Sequence, residues 1–135
     1  MSYKNELKFG VPCAVLYEAL LSVEKMSCIT RNKAEIDPQV GGKFSFYNDR
    51  ISGTFIELVQ DKLIMMQWSI AGWPKNSNVK LVFKTYEDDE CNLEVVHEDI
   101  PQKEIGVVEN TWNEAFWRPF SIILGFPIRE GLSKN

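Results

Sequence analysis

The chain has 135 residues, a formal net charge of −4, and 44% hydrophobic, 25% charged and 12% aromatic residues. Such a chain can bury a core without metal or crosslinks, so one domain over residues 1–135 is expected. The acidic balance argues against nucleic acid, whose binding depends on a basic surface. No apolar run approaches the roughly 20 residues of a membrane span, and the first residues lack the apolar stretch of a signal peptide.

The three cysteines, Cys13, Cys28 and Cys91, are odd in number and far apart, with no C-x-x-C pair. Disulfide frameworks and zinc sites are built from paired or closely spaced cysteines. We therefore expect three reduced thiols in a cytoplasmic protein, with a reactive cysteine as the alternative.

The N-terminal part of the chain predicts one strand and two short helices. Residues 3–9 alternate as a strand does, and Gly10 then breaks the extended run. Pro12 suits the first turn of a helix, and apolar residues recur at helical spacing over about 12–22. Ser22 is placed to cap the second helix.

The middle of the chain predicts consecutive strands joined by short polar turns. Apolar and polar residues alternate in most of them, but the strand 52–60 has apolar residues on both sides. Either both faces of that strand are covered, or Gly53 marks a bulge. The strands are expected around Phe44 and Phe46 and over 52–60, 64–70, 79–84 and 93–98.

Residues 109–124 predict a long helix with a broad apolar arc, which indicates burial. Pro119 removes one internal hydrogen bond and should kink this helix, Gly125 should end it, and residues 129–135 should form a frayed tail. Consecutive strands joined by tight turns pair antiparallel. Because one long helix must cover them, we predict an α+β helix-grip fold, with an antiparallel sheet of six or seven strands wrapped around the C-terminal helix.

Five motifs follow one another along the chain: Gly41-Gly42-Lys43-Phe44, Ile51-Ser52-Gly53-x-Phe55, Trp68, Trp73-Pro74 and Trp112-x(12)-Gly125-Phe126. In their order and spacing, from about Tyr3 to Phe126, the chain resembles the C-terminal domain of the activators of the heat-shock-protein-90 ATPase. The resemblance implies the START-like form of the helix-grip fold. It also implies a cochaperone that binds the chaperone and stimulates its ATPase, with roles in protein folding and the stress response.

Two-domain members of that family bind the chaperone's middle segment through an N-terminal domain, and their C-terminal domain docks near the chaperone's ATPase domains. The resemblance covers only the C-terminal domain, so we expect a stand-alone homologue or an excised domain, with modest activation. The final helix departs from the family pattern at 115–117 and 121–124, where it is more apolar.

The sequence predicts no set of side chains that would come together as a catalytic site. His97 is the one histidine and sits within a strand, where a structural role is expected and contact with a cavity ligand is the alternative. The carboxylates at 87–90 occupy a turn, and Glu98 and Asp99 point to opposite faces of a strand end. Gly41-Gly42 lacks the phosphate-binding loop pattern. We therefore predict no catalytic residue, metal or cofactor, and a protein that is not an enzyme.

Seven large side chains admit two interpretations: core packing between sheet and helix, or the lining of an apolar ligand cavity. They are Phe44, Phe46, Met66, Trp68, Phe83, Trp112 and Phe116. A large continuous cavity would favour the alternative function, which is a START-like carrier or small enzyme that holds an apolar ligand.

Loop residues are the candidates for contact with a partner. Trp73 either folds back onto the core or forms an exposed anchor. The basic residues Arg31, Lys33 and Lys43 form either a solvated face or a surface that meets an acidic chaperone. We predict that the chaperone is contacted by Arg31, Lys33, Trp73 and Lys75.

Overall fold

An antiparallel sheet is the frame of the computed structural model, which describes residues 1–87 and 89–132. The strands are β1 (Tyr3–Phe9), β2 (Glu35–Ile36), β3 (Lys43–Phe46), β4 (Ile51–Val59), β5 (Leu63–Ile70), β6 (Ser77–Glu87), β7 (Glu90–Glu98) and β8 (Ile128–Glu130). The α-helices are α1 (Cys13–Leu20), α2 (Val23–Thr30), α3 (Ile105–Asn110) and α4 (Arg118–Leu124). A 3₁₀ turn at Gln102–Glu104 precedes α3, and a π-helical segment at Thr111–Trp117 joins α3 to α4.

The sheet order is β2-β3-β4-β5-β6-β7-β1-β8, so the chain order is broken only where β1 lies between β7 and β8. All of these neighbours pair antiparallel, which confirms the predicted α+β class. The described part of the chain has eight strands instead of six or seven, because β2 and β8 add short edges of two and three residues. Strands that short carry no readable alternation.

The C-terminal edge corrects one expectation. Arg129 lies in β8, which pairs with β1, where a frayed tail was predicted. Residues 133–135 of that predicted tail lie outside the described residues.

The C-terminal helix runs without interruption from Ile105 to Leu124, and Gly125 ends it in the left-handed conformation with φ 72°. The predicted apolar arc is buried from Trp112 to Phe120, but the last turn is not covered, since Ile122 and Ile123 are exposed. The irregularity expected from Pro119 takes the form of the π-helical segment directly before it.

Pro119 also explains a contact between this helix and the sheet. In an α-helix the carbonyl of Ala115 would accept from the N–H of residue 119, which proline lacks. The hydroxyl of Tyr47, in the turn after β3, donates to that carbonyl instead. One sequence feature therefore both weakens the helix internally and ties it to the turn between β3 and β4.

Gly53 is required by a close approach between strands. A Cβ at this position would lie 1.8 Å from the carbonyl oxygen of Gln67 and 2.6 Å from the ring of Phe44, which pairs with Gly53 across β3 and β4. The bulge in β4 falls later, between Phe55 and Glu57. The bulge is therefore not at Gly53. The other explanation, coverage of both faces of this strand, fails as well, because Ile56 is 46% exposed and Thr54 and Leu58 are only partly buried.

A disulfide joins Cys13 to Cys91, with a Cα–Cα separation of 4.9 Å, and the expectation of three reduced thiols was wrong. The cause is the position of β1 next to β7: Phe9 pairs with Cys91, and the short turn after Phe9 brings Cys13 over the same point. A sequence separation of 78 residues hides this proximity. Cys28 is a free, exposed thiol on α2.

Helices α1 and α2 follow the predicted pattern. The Ser22 side chain accepts from the N–H of Lys25 at 3.2 Å and caps α2. Tyr17 of α1 packs edge-on against Phe83 of β6, with ring centroids 5.4 Å apart. No helix of the described residues is long and apolar enough to cross a membrane.

Candidate functional site

A small apolar cavity lies between the central strands and the C-terminal helix. Six of the seven predicted side chains line it, together with Leu20 and Leu21 at the end of α1. Phe83 is the exception, because it lies under Tyr17. The six are Phe44, Phe46, Met66, Trp68, Trp112 and Phe116.

The volume of this cavity is about 30 Å³, which is enough for one or two water molecules. Binding sites for metabolites and drug-sized ligands occupy roughly 300–1,000 Å³. An apolar lining offers a water molecule no partners, so a cavity of this kind is expected to be dry. In this conformation the seven-residue set is core packing with a small gap.

Three indole rings form a column through the core. Trp68 of β5 stacks on Trp112 at 5.8 Å, and Trp112 stacks on Trp117 at 5.6 Å. Trp73 packs edge-on against Trp68 at 5.7 Å. The column fixes the π-helical segment against the sheet through aromatic contact at every step.

His97 is fully buried beside this column and has both ring nitrogens bonded. The indole N–H of Trp112 donates to Nδ1 at 3.0 Å, so the proton of the neutral ring resides on Nε2. Nε2 then donates to Oγ of Ser77 at 2.7 Å, and the Ser77 hydroxyl donates to the carbonyl of Trp68 at 2.5 Å. Every donor in this chain of bonds has an acceptor.

This direction of bonding is opposite to that of a catalytic Ser–His pair, in which serine gives its proton to histidine. Burial lowers the pKa of His97 to about 4, so the ring is neutral near pH 7. His97 is therefore a structural residue, the first of the two interpretations drawn from the sequence.

A groove opens at the surface above the cavity. Its walls are the turn Tyr47–Arg50 and helix α3, and its volume is about 400 Å³. Ile51 and Thr111 line both groove and cavity, so they separate one from the other. Burial raises the pKa of the Tyr47 hydroxyl, which therefore stays protonated as the donor to Ala115.

The turn Tyr47–Arg50 has an unusual backbone. Tyr47, Asn48 and Asp49 have φ angles of 55°, 55° and 67°, in the left-handed region that costs most for a bulky residue such as tyrosine. Local bonds hold it: Ser45 donates to Asp49 at 2.5 Å, and the N–H of Ala71 donates to the carbonyl of Arg50 at 2.8 Å.

The predicted partner-contact residues are divided by the structure. Trp73 folds back, since it packs on Trp68 and its indole N–H donates to Glu104 at 2.8 Å. Arg31, Lys33 and Lys75 are exposed. Whether these residues contact a partner stays a prediction.

The strand pairing decides which basic residues are neighbours. Glu35 pairs with Ser45, so Lys33, two residues earlier, lies toward the Tyr47 end of β3. Lys43 lies at the other end of β3, where its carbonyl accepts from the N–H of Asp37 at 2.9 Å. The cluster inferred from the sequence is therefore split, and Arg50 is the basic residue that sequence reasoning missed.

The family model described as activator of Hsp90 ATPase homolog 1-like protein matches residues 10–125. The activator of 90 kDa heat shock protein ATPase homolog of Dictyostelium discoideum is 28% identical over 111 residues, covering 79% of this chain and 29% of the relative. Homolog 1 of Homo sapiens is 26% identical over 116 residues, covering 84% of this chain and 34% of the relative. The chain thus spans about a third of the length of these curated relatives.

Among solved structures, an HSP90 activator from Plasmodium falciparum matches with a TM-score of 0.90 and 28% identity, covering 96% of this chain and 99% of that one. The agreement includes the sheet and the C-terminal helix, so the START-like fold implied by the motifs is confirmed. The family model spans residues 10–125, which is most of the chain. This chain belongs to the family of activator of Hsp90 ATPase homolog 1-like proteins.

Proposed function

We propose that this protein is a cochaperone-type binding protein that associates with the heat-shock-protein-90 chaperone in the cytoplasm and stimulates its ATPase. The observation that carries the proposal is the match to the HSP90 activator from Plasmodium falciparum over nearly the full length of both chains. The curated relatives named as activators support it independently.

The interior chemistry fits a binding role, and we propose that the protein is not itself an enzyme. His97 is neutral, buried and fully bonded, and no group of three or more His, Cys, Asp or Glu among the described residues could hold a metal ion. A protein of this kind stimulates an ATPase by binding its active conformation more tightly than its inactive one.

The contact residues we propose are the exposed cations Arg31, Lys33 and Lys75, together with Trp73, whose side chain is partly exposed. None of the three cations forms an ion pair with another described residue, so each is available to an acidic surface. For residues 1–135 by themselves we expect a dissociation constant in the micromolar range or weaker, because a tethered second domain would add a gain of about 10²–10⁴-fold.

The test is a titration of labelled full-length chaperone at about 50 and 300 mM salt, with its ATPase rate measured in parallel. Binding should weaken at the higher salt and in the double variant Arg31→Glu with Lys33→Glu. Lys80→Glu is the matched control, since Lys80 is exposed on β6 and also lacks an ion pair with a described residue. Absence of binding at about 100 µM protein, with and without nucleotide, would contradict the proposal.

A carrier of an apolar ligand is the second candidate function, and the apolar lining of the cavity is the observation that favours it. The cavity would have to expand more than about tenfold to hold an acyl chain. Titration with dodecanoate, followed through the indole N–H signal of Trp112 by NMR, decides the matter. A saturable shift supports the carrier, and an unchanged signal contradicts it.

A further inference from the structure

The groove between the turn Tyr47–Arg50 and α3 has a rigid wall and an unpaired cation. Arg50 is exposed and forms no ion pair with any residue from 1–87 or 89–132. Its backbone is held on both sides, because its N–H donates to the carbonyl of Tyr47 at 3.2 Å and its carbonyl accepts from Ala71. A fixed backbone lowers the entropy lost when the guanidinium engages a ligand.

Three carboxylates at the same end of the sheet as the groove accept hydrogen bonds from neutral groups. Asp49 accepts from Ser45, Glu104 accepts from Trp73, and Asp99 accepts from Asn78 at 2.7 Å. None of these bonds neutralises a neighbouring cation. The carboxylates keep their charge, but Arg50, which lines the groove, forms no ion pair with them or with another described residue.

The rest of the groove suits a peptide. Val107 is 39% exposed and lies beside Ile51, which gives an apolar surface for one aliphatic side chain. The side-chain amide of Asn110 has no hydrogen-bond partner in the described part of the chain, so it can bond to the backbone of an extended segment. The guanidinium of an arginine can bond a carboxylate of such a segment through two parallel N–H groups.

We infer that this groove binds an extended acidic segment of a partner protein, with a carboxylate on Arg50 and an aliphatic side chain against Val107. The inference rests on the proposed function only in taking the segment to belong to the chaperone. The net charge of −4 disfavours nucleic acid as the occupant.

Gly106 provides a variant that blocks the groove without disturbing the core. It is exposed in the groove wall, and a Cβ at this position meets no atom within 4 Å. Gly106→Leu therefore fills the groove, and it should stabilise α3, because leucine has a higher helix propensity than glycine. A thermal melt confirms that the variant is folded.

The probe is a fluorescein-labelled peptide of three Asp-Leu-Glu repeats, compared with a Lys-Leu-Arg version and with the full-length chaperone. Gly106→Leu and Arg50→Glu should each weaken binding of the acidic peptide and of the chaperone by about tenfold, whereas Lys80→Glu should change neither by more than about twofold. The basic peptide should not bind.

The outcomes separate this inference from the proposed function. Chaperone binding that both groove variants leave unchanged overturns the groove and retains the proposed function. Peptide binding that Gly106→Leu abolishes, in a protein that does not bind the chaperone, supports the groove and contradicts the proposed function. Failure of the acidic peptide to bind at millimolar concentration, or equal binding of the basic peptide, overturns the inference.

Discussion

The two ends of the sheet are built differently. The crosslinked end comprises the end of β6, the start of β7, strand β8 and the start of α1. There the Cys13–Cys91 disulfide ties α1 to β7. The ion pairs Arg129–Glu90 at 2.9 Å, Lys8–Glu130 at 3.8 Å and Lys84–Glu94 at 3.8 Å surround it.

The groove end comprises the turn Tyr47–Arg50, the loop 71–76 and α3. Its cations have no ionic partner among the described residues, and three consecutive residues of its turn have positive φ angles. A buried neutral histidine, His97, lies beneath it.

The difference between the two ends indicates that they have different roles. Exposed ion pairs contribute only about 0–1 kcal/mol each, so leaving a cation unpaired costs the fold little. An unpaired cation can still steer an acidic partner and bond to it, whereas one engaged within the protein must first give up its own acceptor. The crosslinked end is thus suited to holding the fold, and the groove end to recognition.

The largest expected effect tests how tightly the interior of the groove end is packed. Trp112→Ala removes a buried ring that stacks on two others and donates to His97. We expect the free energy of unfolding to fall by about 3–5 kcal/mol. Urea titrations followed by circular dichroism measure it, and a loss below about 0.5 kcal/mol would contradict the packing described.

Removal of the disulfide should have the next largest effect, at the other end. Cys13→Ala combined with Cys91→Ala should lower the free energy of unfolding by about 2–4 kcal/mol, since a crosslink over 78 residues restricts the unfolded chain. Cys28→Ala is the matched control and should change it by less than about 0.5 kcal/mol. Three titratable thiols in the native, unreduced protein would show instead that the bond does not form.

The same double variant tests whether the crosslinked end affects binding at the groove end. Binding of the acidic peptide and of the chaperone should stay within about twofold of the unmodified protein, because the groove shares no residue with the crosslinked end. A large loss of binding in a folded double variant would show that the two ends are coupled.

Acid should destabilise the fold through His97. His97 takes up a proton near its ordinary value of 6.5 in the unfolded chain but only near 4 in the folded one. Between these values the unfolded chain binds the extra proton, so stability is fully present above pH 6.5 and declines as the pH falls. The contribution lost by pH 5 is about 2 kcal/mol.

Urea titrations from pH 7.5 to 4.5 measure this decline. In His97→Gln the decline should be smaller by about 2 kcal/mol at pH 5, because glutamine does not titrate but can still accept from Trp112. Equal declines in the two proteins would mean that His97 is not the group responsible.

Sequence reasoning reached the fold through features with short-range signals. Alternation over β3 to β7 gave the antiparallel sheet, Ser22 gave a helix start and Gly125 a helix end, and each is found in the structure. The motif residues Phe44 and Gly53 turned out to be partners across two strands.

The missed features all depend on contacts between distant segments. The disulfide forms because β1 lies beside β7, and no local sequence pattern predicts that pairing. Arg50 was not singled out from the sequence, because its place in the groove comes from facing α3, which is distant in the chain. The small cavity volume depends on how side chains interlock, which a list of aromatic residues cannot give.

The smallest expected effect concerns the contact that shapes the groove. Tyr47→Phe removes the donor to the Ala115 carbonyl, which Pro119 has already deprived of its helical partner. We expect a loss of about 1 kcal/mol in the free energy of unfolding, because the carbonyl loses the hydrogen bond from the hydroxyl.

A double-mutant cycle with Pro119→Ala tests whether the Tyr47 hydroxyl compensates for the N–H that proline lacks. Alanine at 119 supplies an N–H that can bond to the Ala115 carbonyl within the helix, so Tyr47→Phe should cost about 0.5 kcal/mol less in that background. Urea titrations of the four proteins give the coupling energy. If Tyr47→Phe costs the same with proline or alanine at 119, the hydroxyl does not compensate for the proline. In that case the position of the groove's wall would have to depend on the Ser45–Asp49 and Arg50–Ala71 bonds alone.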